Sequence, residues 1–301
     1  MSENRRLGLT ALAVTVFCYG TLWSGAKLSL LHVPPLWFTT GRFAVGGIFI
    51  AALLVAQGRF RLPPRQDIPV VLSVGAVMLG AYSSIFQSAL VYVEAGRASI
   101  LGYTTTVFVA PVAVLVLGEK LQGWRLAGLF AAIGGLCALF SPAEFEWSDS
   151  QALTGNAMLI VTAMLWSAVI LHLRVHRQQA DTLQLAPWQL LVAFSVSAVA
   201  ALVIEGLPAF ALGREAIAFY LFGGIVSTGL GIWGVTTTFR NLPTAISTVG
   251  LLGVPVLALA ISVAFLGEEL TPWLAAGLVL IVGGIAAVTL SGNGSENDRS
   301  A

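Results

Sequence analysis

Charge is what this chain has least of. Only 10% of its 301 residues are Asp, Glu, Lys or Arg, while 57% are apolar; a soluble domain carries roughly 25% charged residues. Too few charges remain to cover a water-facing globule of this length, so the chain reads as an all-α integral membrane protein. Cysteine is nearly absent. Cys18 and Cys137 each lie inside an apolar run, which excludes a disulfide framework or a Cys-rich metal site. There is no G-x-x-x-x-G-K-S/T phosphate loop and no soluble region large enough to hydrolyse ATP, which excludes a self-contained primary pump. No Ser/His/Asp set and no paired carboxylates stand at membrane depth. The expectation is a protein that is not an enzyme and needs no cofactor.

What is present is a series of apolar runs of about 20 residues, the length that crosses a bilayer as a helix. They fall near residues 8–31, 35–57, 68–93, 97–117, 121–141, 151–172, 187–205, 214–239, 243–266 and 272–291. Arg5 and Arg6 precede the first run as they would in a signal peptide, but the run is long and lacks a small-residue cleavage site, so it reads as a retained helix. Acidic residues between Glu144 and Asp149 mark the midpoint, dividing the chain into 1–147 and 148–301, with five spans in each. Placing the amino terminus in the cytoplasm puts eleven Lys and Arg on that side against three (Lys27, Arg97, Arg214) outside. An even span count returns the carboxyl terminus to the cytoplasm.

The two halves are related. LGEKLQGWRLAGLFAAIGG, from Leu117 to Gly135, and LGEELTPWLAAGLVLIVGG, from Leu266 to Gly284, agree without a gap at ten of nineteen positions. That is the signature of an internal repeat. Because each half holds an odd number of spans, the second enters the membrane upside down relative to the first. Ten helices in two inverted five-helix repeats around a central cavity is the expected fold, and such repeats are suited to alternating access. A channel with incidental symmetry, or an integral membrane lipid-processing enzyme, is the competing reading. The second would need a polar catalytic cluster at one interface.

Three elements recur in both halves: Leu22, Trp23, Ser24 against Leu165, Trp166, Ser167; the run Ala95 to Thr105 against Leu242 to Thr248; and L-G-E-x-L-x-x-W at Leu117 and Leu266. In these the chain resembles the EamA-type drug/metabolite transporter superfamily over residues 8–291, and within it the branch of aromatic amino acid exporters of the YddG kind. The resemblance implies a bacterial inner-membrane exporter of amino acids, aromatic or otherwise apolar, with multidrug, nucleoside or other metabolite transport as the alternative. In that family a Pro commonly stands thirteen residues before the Glu. The second half has Pro255 there, whereas the first has Thr106, with Pro111 five residues later. An interior Pro bends a helix, so gating need not be symmetric between the halves.

Polar and aromatic residues inside the runs are the candidates for the cavity wall: Trp23, Tyr82, Gln87, Tyr103, Trp166, Trp233, Ser247 and Thr248, with Tyr19 beside them. Such groups need partners or water in hydrocarbon. Ser and Thr also bond preceding carbonyls or join neighbouring helices, and Trp and Tyr also anchor at interfaces. Arg42 is the one charge well inside a span; it either holds a substrate carboxylate or has a structural partner. Glu119 and Glu268 read as junction partners or as caps for the helices that follow them. His172 and His176, beside Arg174 and Arg177, read as a solvated basic face rather than a metal site. The partners expected are a small-molecule substrate, the lipid bilayer and a second copy of the chain through the Gly- and Ala-rich last helices of each half; nucleic acid is not expected.

Overall fold

A computed structural model describes residues 3–105, 107–109, 123–141, 147–176, 178–208 and 213–292. Among these residues there is helix and no strand. The helices are α1 (Glu3–Ser29), α2 (Pro35–Ala56), α3 (Arg65–Ala89), α4 (Ala95–Gly102), α5 (Trp124–Leu139), α6 (Ser150–Val175), α7 (Thr182–Ile204), α8 (Arg214–Asn241), α9 (Ile246–Leu266) and α10 (Pro272–Gly292). Seven of them, α1, α2, α3, α6, α7, α8 and α9, are long and apolar enough to cross a membrane. The apolar stretches Leu126–Leu139 in α5 and Pro272–Ala287 in α10 are shorter. Thr106 and Pro111 lie outside the described residues.

Local chemistry explains several boundaries. Pro35 occupies the first turn of α2, where its missing N–H costs nothing. Asp149 caps α6, its side chain accepting from Gln151 N at 2.8 Å. Gly267 ends α9 in the left-handed conformation (φ 75°), which a side chain would strain. The seventh span starts earlier than the sequence reading placed it. Pro187 was expected near its start, but the helix begins at Thr182 and absorbs Pro187 one turn in, where only one intrahelical bond is lost.

Helix ends gather into two groups. At one, Asp181 before α7 pairs with Arg59 after α2 (2.9 Å) and with Arg240 at the end of α8 (3.1 Å). Nearby, the buried Asp67 of α3 accepts from the N–H groups of Gln179 and Ala180. At the other, Lys27 at the end of α1 donates to Leu90 O (2.5 Å) and Val93 O (2.9 Å) beyond α3. There too, Glu205 after α7 accepts from Leu36 N and Trp37 N at the start of α2.

The main packing contacts join the first five helices to the last five: α5 with α10, α2 with α7 and α8, α3 with α6 and α7, α1 with α8 and α9, and α4 with α6 and α9. Small residues let the backbones approach, as in many membrane bundles. A Cβ on Gly224 of α8 would lie 2.5 Å from Val45 Cβ and 3.0 Å from Gly46 N of α2. Two π-helical stretches, Ser73–Ala81 in α3 and Phe222–Leu230 in α8, lie 149 residues apart, the same step that separates Leu117 from Leu266. In the second, Thr228 Oγ1 donates to Gly223 O five residues back at 2.8 Å, as wide π turns allow.

Candidate functional site

A run of aromatic rings leads inward from the end of the bundle that carries Lys27. Trp23 of α1 meets Phe86 of α3 edge-on, with centroids 4.6 Å apart and planes at 84°. Tyr82, one turn before Phe86 and on the same face, stacks on it at 6.0 Å and leans on Trp166 of α6 at 4.9 Å. Trp23 is buried, whereas Tyr82 and Trp166 are half-buried. On the other side of Trp23 lies α4: a Cβ on Gly102 would come within 2.6 Å of the indole. Phe86 was not picked out from the sequence, although its i, i+4 spacing from Tyr82 was the available signal.

Tyr103 and Pro255 are brought together by a missing hydrogen bond. Pro255, buried in α9, has no N–H to offer the carbonyl four residues earlier, Leu251 O. Tyr103 Oη of α4 reaches that oxygen at 3.4 Å. This long contact links a first-half helix to the irregular turn at Leu252 in the second.

The other candidates make none of these ring-to-ring contacts. Gln87 is tied to α1, its Nε2 donating to Ala26 O at 2.8 Å and Ser29 Oγ at 3.3 Å. Ser247 is buried and donates to Pro243 O at 3.2 Å. Trp233 packs against a cluster around Phe43, Ile50 and Leu54 of α2. Thr248 is half-buried. Arg42 of α2 is 8% exposed, its guanidinium 4.7 Å from the Phe43 ring centre. Its Nε makes no hydrogen bond.

Glu268 caps a different helix from the one the sequence suggested. Its carboxylate accepts from Gly96 N at 2.8 Å and Arg97 N at 2.9 Å, at the start of α4, and from the Ser262 hydroxyl. The cap of α10 is Thr271, whose Oγ1 accepts from Leu274 N at 3.1 Å. Glu94 lies next to Glu268; partial burial, and then the neighbouring carboxylate, push its carboxyl above the usual range. Arg97 Nε donates to Asn156 Oδ1 of α6 at 3.1 Å, and its Nη2 donates to Leu139 O of α5. A cavity of about 290 Å³ opens here, lined by Glu94, Arg97, Leu139, Glu269, Thr271 and Leu274. His172 bonds Ser73 Oγ at 2.8 Å and His176 approaches Asp67 at 3.7 Å. No group of three or more potential metal ligands assembles among the described residues.

The family model for EamA-like transporters matches the chain twice, over residues 6–141 and 153–290. The uncharacterized transporter YoaV of Bacillus subtilis is 25% identical over 277 residues, covering 92% of this chain and 94% of that one. A "Probable amino-acid metabolite efflux pump" of Salmonella typhimurium is 28% identical over 300 residues, covering 94% of each chain. A "Probable terminal-alkyne amino-acid exporter" of Streptantibioticus cattleyicolor is 25% identical over 302 residues, covering 96% of each. One crystal structure superposes with a TM-score of 0.66 at 22% identity, covering 96% of this chain and 98% of the other, a likeness of fold.

Proposed function

Since the chain belongs to the EamA-like transporter family, we propose that this membrane transporter exports small metabolites, foremost amino acids with an aromatic or other apolar side chain, from a bacterial cytoplasm across the inner membrane. The observation that carries the reading is the run Trp23, Phe86, Tyr82, Trp166, which joins α1 and α3 of the first half to α6 of the second. Ring faces and edges suit an apolar or aromatic side chain, and a site shared between halves is where a rocking transporter holds its cargo. Two relatives named for amino-acid export at full-length coverage support the same substrate class.

Ten spans, in two inverted repeats of five, fit the geometry. The ends of α1 and α3 lie beside the starts of α2, α4 and α6, and the end of α7 beside the start of α2, which supports helices that alternate in direction. Arg59 and Arg240 fall in one group of helix ends and Lys27 and Arg97 in the other, in keeping with cytoplasmic termini. The halves then rock about the cargo, and α5 and α10 pack along each other. Counterflow tests the reading. Purified protein in liposomes preloaded with one amino acid should accumulate the labelled form, with saturation, for at least one member of a panel of amino acids, drugs and nucleosides. Saturable flux of drugs or nucleosides alone overturns the substrate class, and no flux above empty vesicles overturns transport.

A further inference from the structure

A guanidinium buried in an apolar bundle is costly unless a counter-charge or a full set of hydrogen bonds meets it. Arg42 has neither among the described residues: it forms no ion pair or hydrogen bond, and its Nε is sealed from solvent. Four carboxylates at the helix ends are committed elsewhere. Asp67, Glu205 and Glu268 accept backbone N–H groups, and Asp181 holds Arg59 and Arg240. The ionisable groups that act electrostatically on Arg42 are the phenols Tyr82 and Tyr19. Its position is nonetheless built. The stem packs on Gly223 in the π-helical stretch of α8, where a Cβ would come within 3.1 Å of Arg42 Cγ and Cδ, and the head lies over Phe43.

Hydroxyls without a partner among the described residues lie on α3 and α8, which pack on α2, and on α1. Ser24 Oγ of α1, Ser84 Oγ of α3 and Ser227 Oγ of α8 are buried and make no hydrogen bond. A buried polar group without a partner is rare and calls for an explanation. Tyr82, two residues before Ser84 on α3, is in contact with both Phe86 and Trp166.

We propose that Arg42 is the receptor for the carboxylate of the cargo, so that the substrate carries an anionic head at α2 and an apolar body against Tyr82 and Trp166. The inference rests on the transport reading for its cargo but not for its test. A planar guanidinium with free N–H groups suits a carboxylate, and the arriving anion supplies the partner that the fold withholds.

Equilibrium binding on detergent-purified protein tests this without requiring flux. Labelled L-phenylalanine is competed with 3-phenylpropanoate, which keeps the carboxylate, and with phenethylamine, which lacks it. Wild type should favour 3-phenylpropanoate at least tenfold. Arg42→Met should weaken L-phenylalanine binding about 10- to 100-fold, the loss expected for a charge-assisted bond, and erase the preference between competitors; Arg42→Lys should restore part of it. Without ligand, Arg42→Met should melt no lower than wild type, because it removes an unpaired charge. Equal competition by both compounds, unchanged binding in Arg42→Met, or a lower ligand-free melting temperature of that variant overturns the proposal. Carboxylate-dependent binding together with no counterflow sinks the transport reading and leaves the receptor standing.

Discussion

Glu268→Gln should loosen the clasp between the end of α9 and the start of α4. The carboxylate accepts from two backbone N–H groups at 2.8 and 2.9 Å and from the Ser262 hydroxyl, and it is 5% exposed. Charge-assisted bonds contribute about 1.5–3 kcal/mol each. An amide keeps one acceptor oxygen and turns an NH₂ toward donors, so at least one such bond is lost. At 1.4 kcal/mol per factor of ten, an equilibrium between clasped and parted arrangements moves by about 10- to 150-fold. The readout is the labelling rate of Ser99→Cys, a near-isosteric change at a fully buried position on α4, with Cys18 and Cys137 replaced by Ala. A membrane-impermeant maleimide added to intact cells should label the Glu268→Gln protein at least tenfold faster than its parent. A rate within twofold of the parent refutes the clasp.

Glu94→Gln should alter the pH dependence of stability. Because the folded protein holds the Glu94 carboxyl above its ordinary value near 4.5, the wild type keeps its full stability only below that value and loses it as pH rises through the raised one. The variant's advantage in melting temperature should therefore be near zero at the acid end and grow with pH, and a flat difference rejects the carboxyl pair. The two glycines of the Gly283-Gly284 pair should differ. Gly284→Ala places a methyl against Gly128 O and 2.8 Å from Ala132 N, whereas Gly283 faces open space. The first should destabilise by about 1–3 kcal/mol and the second should be neutral or stabilising by up to about 1 kcal/mol, measured as thermal stability in detergent. Tyr103→Phe removes only the 3.4 Å contact with Leu251 O, so its melting temperature should stay close to wild type.

The duplication was legible because it is written in identical residues, and the apolar runs because lipid imposes their length. Partners were less legible where one side of the contact is backbone. Glu268 stands just before Pro272, so a cap on α10 was the economical reading; Thr271 fills that place, and the carboxylate serves α4 from 171 and 172 residues away in sequence. Side-chain direction was the second obstacle. Tyr82 and Trp233 were equally candidates for the cavity wall, but only Tyr82 meets Trp166, while Trp233 packs against the cluster on α2. Arg42 was visible as an isolated charge. That it finds no hydrogen-bond or ionic partner among the described residues depends on every neighbouring helix, which no single segment records.

The contacts between α5 and α10 bear directly on how the halves are related. A Cβ on Gly135 would lie 2.9 Å from Gly277 O, and one on Gly284 would meet Gly128 O. Moving back by the repeat step of 149 residues, Gly284 becomes Gly135 and Gly277 becomes Gly128, so the two contacts are one contact made twice with the roles exchanged. Such reciprocity is what a two-fold axis between the halves would produce. Residues 135 and 128 are about 10 Å apart along a helix at 1.5 Å per residue, too far to touch if equivalent residues of two parallel helices lay level. They meet if the helices run antiparallel, which supports an inverted relation of the halves. The π-helical stretches repeat the exchange, with α3 packing on α7 and α8 on α2. Pro255 breaks it. In its half Leu251 O is left for Tyr103, whereas the sequence has Thr at the matching position 106. Under the proposed rocking of the halves, Pro in one half against Thr in the other is the asymmetry that would set the states open to either side at different energies.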